Sequence, residues 1–384
     1  MISRRLQPFG TTIFSEMTRL AVEHDAINLS QGFPDFEGPP EILTAAADAV
    51  HGWENQYARS LGHPRLVRAL AASIERQHGL RYDPDTEITV TCGATEGIAA
   101  AMLGLLEPGD EVLVCEPVYD SYPAAVAMAG ARTVPITLRF PDFALDLAAI
   151  ERAIGERTRL LLLNTPHNPT GKVFSLEELA ALAELCRRHD LIAVTDEVYE
   201  HLTYDGHAHR SLAELPGMRE RTLRLSSAGK TFSVTGWKIG WATGPAPLVA
   251  ALQAAHQFLT FCAPTPLQVA VAETLETLGE PFFEQLRADY RERRDFLAAV
   301  LREIGLEVAP CHGTYFLLAD FTALFAGDDR AFARHLIETH GVAAIPPSVF
   351  YLDQKDEGRR LVRFAFCKRM ATLERAAERL RRRS

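Results

Sequence analysis

The chain of 384 residues carries 40 Lys+Arg against 50 Asp+Glu, a formal net charge of −10, and 47% of it is hydrophobic. At roughly 100 to 200 residues per domain, this is material for two or three domains with a large buried core, which excludes disorder as a description of the whole. The acidic balance argues against a partner bound through its nucleic-acid phosphates. Apolar stretches such as Ile98–Leu106 fall short of the ~18 residues that suggest a membrane span.

Met1-Ile2-Ser3-Arg4-Arg5-Leu6 opens the chain without an apolar core of signal-peptide length behind it, so a soluble, cytoplasmic protein is expected. Glu87–Thr91 reads as a strand, Cys92-Gly93-Ala94-Thr95 as a glycine turn and Glu96–Leu106 as a helix. Glu111–Cys115 is a second strand leading to Tyr119. Arg159–Leu163 leads to Asn164 and Asn168, Leu191–Thr195 to Asp196, and Thr222–Ser226 through Ser227-Ala228-Gly229 to Lys230. Short apolar runs of this kind, each bounded by turn residues or followed by a helical pattern, are the signature of buried parallel strands in an α/β protein. The polar Asp205–Arg210 stretch, with His207 and His209, reads as a solvated loop rather than a metal site. Six scattered cysteines without a C-x-x-C pair fit neither a disulfide framework nor zinc, and no metal is expected. Leu286–Ile304 is a long helical pattern rich in Arg and Glu. Leu373–Arg383 is an amphipathic helix whose arginines suit its C-terminal end better than a nucleic acid.

Five strands thus place a glycine turn, an aromatic residue, an asparagine, an aspartate and a lysine beyond their C-terminal ends, the edge at which open parallel sheets bind ligands. Any one of these could be a helix cap or a surface charge; five on one rim point to a site. Lys230 lies among small hydroxylic residues in Ser226–Lys238, with Lys238 as a cationic neighbour, the surroundings that turn a lysine into a Schiff-base former. A Schiff-base lysine, a carboxylate, ring-facing tyrosines and a phosphate turn together specify pyridoxal phosphate, whose ring nitrogen needs a carboxylate to stay protonated. Asp196 is the candidate. Gly93-Ala94-Thr95 opens a helix whose N–H groups suit the phosphate, and Ser227 and Lys238 complete that cup.

Ser227-Ala228-Gly229-Lys230-Thr231-Phe232-Ser233 with Gly236-Trp237-Lys238, Asn164-Thr165-Pro166-His167-Asn168-Pro169 and Asp196-Glu197-Val198-Tyr199 resemble the class I/II aminotransferases of pyridoxal-phosphate fold type I, over nearly the whole chain. The resemblance implies a three-layer α/β/α, aspartate-aminotransferase-like large domain with a mostly parallel sheet over residues 36–273. A smaller α+β domain would be built from residues 1–35 and 274–384. It implies Lys230 as the Schiff-base lysine and general base, Asp196 on the pyridine nitrogen, Asn168 and Tyr199 on the ring hydroxyl, and Tyr119 stacked on the ring. Tyr57 would reach the phosphate of a partner subunit in a homodimer. Arg363, on the alternating strand Leu361–Phe366, would grip the substrate carboxylate, with Asn168 and the Gly32 backbone beside it.

Within the family, His256–Cys262, Gly313–Leu318 and His340–Pro346 resemble the kynurenine-type and bacterial methionine enzymes. Thr95 and Cys262 depart from the aromatic residue and histidine that kynurenine-type enzymes carry, and no second motif arginine offers to hold a side-chain carboxylate. Methionine is therefore the expected donor, with phenylalanine, histidine or leucine as lesser ones, in a two-half-reaction exchange with a 2-oxo acid. A carbon–sulfur β-lyase on cysteine conjugates and an acyl-CoA-condensing synthase are rivals of the same fold. A non-catalytic, cofactor-binding regulatory domain is a rival of another class, disfavoured because no basic DNA-binding segment is expected before Gly32.

Overall fold

Every apolar run marked between Glu87 and Ser227 is a strand of one central sheet in the computed structural model, which describes residues 2–10 and 12–382. After a two-residue strand β1 (Ile27–Asn28) come β2 (Ile88–Thr91), β3 (Glu111–Glu116), β4 (Arg132–Thr137), β5 (Thr158–Asn164), β6 (Ile192–Asp196), β7 (Thr222–Ser227) and β8 (Gly240–Thr243). The last seven form a sheet in the order β2-β8-β7-β6-β5-β3-β4. All its pairings are parallel except those of β8, which runs antiparallel to β2 and β7. The sequence reading missed β4 and β8.

Alternate residues of the central strands β3 and β5 enter two separate cores, which is why these two runs are apolar along most of their length. Val112, Val114, Leu160 and Leu162 pack with Ile98, Met102, Val249 and Leu252 of the helices Gly93–Leu105 and Ala246–Leu259. Leu113, Leu161 and Leu163 pack with Leu179, Leu182 and Cys186 of the helix Leu176–Arg188 on the other face. Each such leucine contributes roughly 1.5–3 kcal/mol on burial. The helix Leu176–Arg188 starts at a capping box in which Ser175 and Glu178 satisfy each other's backbone N–H groups.

The remaining strands lie outside this sheet. β9 (Glu307–Val308), β10 (Phe316–Asp320) and β12 (Leu361–Ala365) form an antiparallel sheet in the order β12-β10-β9, while β11 (Val342–Ala343) pairs in parallel with β1. The long helical pattern begins before Leu286, as the helix Glu280–Glu303, whose Leu297 and Leu301 share a core with Leu317 and Phe364. The terminal helix is Met370–Leu380, buried through Leu373, Ala376, Ala377 and Leu380; Arg383 lies outside the described residues. No described helix is long and apolar enough to cross a membrane.

Strand order changes direction between β3 and β5, since β4 follows β3 outward while β6 and β7 follow β5 the other way. This is the position at which doubly wound sheets open a crevice beyond their C-terminal ends.

Candidate active site

A cavity of about 380 Å³ occupies that crevice, and its wall includes Gly32, Gly93, Ala94, Thr95, Tyr119, Asn168, Asp196, Tyr199, Ser227, Lys230, Lys238 and Arg363. The five strand ends do converge. Of the residues expected to hold cofactor or substrate, only Tyr57 lies elsewhere: it is 83% exposed and meets Phe261 edge-on, ring centroids 5.3 Å apart.

Lys230 sits in the four-residue helix Ala228–Thr231 that continues β7. Its Nζ donates to the Tyr315 hydroxyl at 2.6 Å and to the Gly32 carbonyl at 3.0 Å. Burial lowers the amine from its usual range to about 8, with Lys238 and Arg363 acting in the same direction and Cys367 and Asp196 opposing.

Asp196, the last residue of β6, is buried with one oxygen accepting from Tyr122 Oη at 2.6 Å and the other from the Val198 N–H at 3.3 Å. Burial raises its carboxyl to about 6, and these two hydrogen bonds hold it down against that pressure. Asn164 ties the neighbouring strand ends together: its Nδ2 donates to the Asp196 carbonyl at 2.9 Å and its Oδ1 accepts from the Asn168 N–H at 2.6 Å. Tyr119 follows β3, and burial pushes its phenol to about 12. Tyr199 is driven further above its ordinary range, again by burial.

At the other end of the cavity, Gly93 begins its helix at φ +76°, a left-handed conformation that glycine adopts without strain. A Cβ there would stand 3.0 Å from Lys238 Nζ. The turn presses onto β8, where a Cβ on Gly240 would come within 2.6 Å of the Ala94 nitrogen. The result is a helix N-terminus with a lysine ammonium over it and Ser227 alongside, an anion cradle.

Arg363 of β12 is the largest fully buried side chain, 1% exposed. Its guanidinium lies over the rings of Phe316 (4.2 Å), Phe350 (5.2 Å) and Phe14 (5.4 Å), and it donates to the Ser30 carbonyl at 2.9 Å and Asn168 Oδ1 at 3.3 Å. Its Nε has no partner, and no described carboxylate forms an ion pair with it. Burial pulls it down to about 10, which leaves it charged at neutral pH. A buried cation of this kind calls for an anionic ligand.

Comparison with known proteins decides the family. The family model for aminotransferases of class I and II matches residues 24–380. The chain is a class I/II aminotransferase. It is 52% identical to a probable N-succinyldiaminopimelate aminotransferase of Mycobacterium tuberculosis over 99% of this chain and 98% of that one. A solved structure of the Mycobacterium tuberculosis N-succinyldiaminopimelate aminotransferase superposes with a TM-score of 0.96, covering 99% of each chain. The aminotransferase is also 44% identical to the methionine aminotransferase of Escherichia coli, over 98% of this chain and 97% of that one. The Escherichia coli structure superposes with a TM-score of 0.95.

Enzymes of this class use pyridoxal phosphate, and the cavity of this aminotransferase fits it. The lowered amine of Lys230, the anion cradle at Gly93 and Lys238, and the buried acid of Asp196 are the three groups the cofactor's aldehyde, phosphate and ring nitrogen require.

The structure adds residues to which the sequence reading assigned no role. Tyr122 follows Tyr119 by three residues and Asn164 opens the Asn164–Pro169 motif, yet their partners depend on the register of neighbouring strands. Tyr315 lies 85 residues from Lys230 in the chain, and Phe14 and Phe33 enter the wall from the N-terminal segment. One expectation is corrected. His207 is exposed in the loop, but His209 turns inward and meets Glu197 Oε2 at 3.0 Å. It does so because Glu197 is fully buried behind Asp196 and needs partners; Arg224 supplies another at 2.8 Å. Glu197, Glu200 and His209 converge closely enough to hold a metal ion. Arg224, bonded to both carboxylates, is the cation in that place.

Proposed function

We propose that this aminotransferase moves the α-amino group of an amino acid with an uncharged side chain, methionine first, to a 2-oxo acid in two half-reactions. The observation that carries the reading is the pairing of one buried, unpaired arginine with an otherwise apolar side-chain end. Arg363 is the cation available for the α-carboxylate, while Phe14, Phe33, Ile98 and Phe316 contribute apolar wall and no further cation besides Lys230 and Lys238 lines the cavity. A fork of parallel N–H groups is the geometry that holds a carboxylate bidentate.

When bound, pyridoxal phosphate supplies an electron sink for the charge left on the substrate's Cα as its proton departs. In this reading Lys230 would hold the cofactor's aldehyde carbon, and its free amine would take the α-proton. Burial, which lowers this amine to about 8 in the ligand-free protein, makes it give up its proton more readily than an ordinary lysine, as a general base must. Asp196 would hold the ring nitrogen, Asn168 and Tyr199 the ring hydroxyl, and Tyr119 would cover the ring face. Gly93, Ala94, Thr95, Ser227 and Lys238 hold the phosphate, and Gly32 closes over the substrate. Residues 36–273 form the cofactor-binding domain and the two flanking segments the smaller one. Trp53, Tyr57 and Phe258, 93%, 83% and 87% exposed, face a second copy, so that Tyr57 reaches the partner's phosphate. The cytoplasm is the proposed location.

A second reading has support in the 52% identity to a probable N-succinyldiaminopimelate aminotransferase: a long, acylated diamino acid as donor, its far end beyond the cavity mouth. Both are tested by kcat/KM for 2-oxo acid formation from methionine, phenylalanine, histidine, leucine, aspartate and N-succinyldiaminopimelate. Methionine is expected to lead, with aspartate at least tenfold behind. A lead for N-succinyldiaminopimelate establishes the second reading, and a lead for aspartate removes both.

A further inference from the structure

The Lys230 amine, the Tyr315 hydroxyl and the Gly32 carbonyl form a closed triangle. Nζ lies 2.6 Å from Tyr315 Oη and 3.0 Å from the Gly32 oxygen, and Oη lies 2.5 Å from the same oxygen. With Lys230 as an ammonium the lysine can only donate, so the Tyr315 oxygen accepts from it and the hydroxyl hydrogen goes to the Gly32 carbonyl, the shortest of the three contacts.

A neutral primary amine has two N–H bonds and one lone pair. If one N–H points to Tyr315 and the other to Gly32, the lone pair has a single remaining direction, away from both. We propose that Tyr315 and the Gly32 carbonyl are a dock that takes both N–H bonds of the free Lys230 amine and aims its lone pair at the substrate's α-hydrogen, making Tyr315 a positioning residue for proton transfer. The new N–H bond forms as the Cα–H bond breaks, and the electron pair of the broken bond passes to the bound cofactor.

The surroundings hold the triangle rigidly. Tyr315 is 1% exposed, edge-on to Tyr199 at 5.1 Å and stacked on Tyr290 at 5.9 Å. Gly32 reaches it because it has no side chain: a Cβ there would stand 2.6 Å from Phe316 Cζ and 3.4 Å from Tyr315 Cε2. The segment bearing Gly32 is pinned on both sides, by Arg363 on the Ser30 carbonyl at 2.9 Å and by Lys368 on the Phe33 carbonyl at 2.7 Å. The carboxylate-binding arginine and the reacting lysine thus hold the same short stretch of backbone.

The inference rests on Lys230 being the reacting amine, and the two fail separately. A Lys230→Ala enzyme that still turns over at the wild-type rate sinks that earlier reading, whatever Tyr315 does. For the dock the variant is Tyr315→Phe, which keeps the ring and removes only the oxygen. With α-deuterated methionine, kcat is expected to fall about 10- to 100-fold, the cost of a misaligned base, with KM within threefold and a larger deuterium isotope effect than wild type. In the ligand-free protein, the pH midpoint for capture of pyridoxal phosphate, followed by visible absorbance, moves down, because an ammonium loses an acceptor. Where the Phe variant does not fold, 3-fluorotyrosine at position 315 keeps the hydroxyl, weakens it as an acceptor and shifts both readouts the same way by less. Wild-type kcat and isotope effect, or a loss confined to KM, overturns the proposal.

Discussion

Tyr122 donates its hydroxyl hydrogen to Asp196 Oδ2 at 2.6 Å in the wall of the cavity, joining the segment after β3 to the end of β6. A neutral donor stabilises the carboxylate without cancelling its charge, which stays available to a protonated ring nitrogen. The bond therefore works against the burial that raises Asp196 to about 6.

Replacing Tyr122 by Phe removes that opposition. The Asp196 carboxyl moves further up, so the carboxylate is lost at a higher pH as the solution is acidified. Cofactor affinity of the ligand-free protein, titrated by absorbance from pH 5 to 8, is expected to have an acid limb near 6 in the wild type. In Tyr122→Phe the limb lies at higher pH. An unmoved limb with unchanged affinity shows that the bond has no part in holding the carboxylate charged.

Lys230 carries a cost that function explains. Its amine is lowered to about 8 in the fold, against about 10.4 in an unfolded chain. Between these values the unfolded state binds more protons, so the group's contribution to stability rises with pH there and is unfavourable at pH 7. Lys230→Met removes the buried charge and leaves Tyr315 bonded to Gly32. The variant is expected to lose turnover, yet the ligand-free protein gains stability at pH 7, on the order of 1–2 kcal/mol. Denaturant titrations at pH 7 and pH 10 check both sign and slope: the advantage shrinks at the higher pH.

The five parallel strands and their terminal residues were legible because doubly buried strands are short and mostly apolar and the ligand edge is where that pattern breaks. β4 was not, since it is an edge strand with Pro135 within it and mostly half-buried residues. Nor was β8, four residues that begin on Gly240. Within the site, Asp196, Asn168 and Lys230 could be read from their position after a strand. Tyr315 and Tyr122 could not, because a buried tyrosine announces no partner until the strand register is known. The same is true of His209, whose polar neighbours suggest solvent while Glu197, 12 residues earlier, draws it inward.

Arg363 is the carboxylate-binding group of the proposed reaction, and its planar fork cannot be copied by a lysine. Arg363→Lys keeps a charge but loses the bidentate geometry, along with the contact to the Ser30 carbonyl. Losing a buried, hydrogen-bonded charge pair costs about 2–5 kcal/mol, so kcat/KM for methionine should fall about 10²- to 10³-fold. Cofactor absorbance should be close to wild type, because Asp196, Lys238 and Gly93 are untouched. Equal losses for methionine and for methylamine, which has no carboxylate, would remove the assignment.

The exposed aromatic face around Tyr57 allows a test of the proposed homodimer and its shared sites. Tyr57→Ala should weaken phosphate binding in the partner's cavity and lower turnover about tenfold, and Lys230→Ala should be inactive. If Tyr57 serves the other subunit, mixing the two variants rescues one site. In a mixed dimer, the subunit with an intact Lys230 receives the intact Tyr57 of its neighbour, while the second site lacks both. Random pairing of equal amounts then gives mixed dimers as half of the population, each with one of two sites restored, or about a quarter of wild-type sites. Unfolding and refolding the mixture, then assaying against either variant alone, reads this directly. Activity no higher than the average of the two parents means that Tyr57 acts within its own chain or not at all.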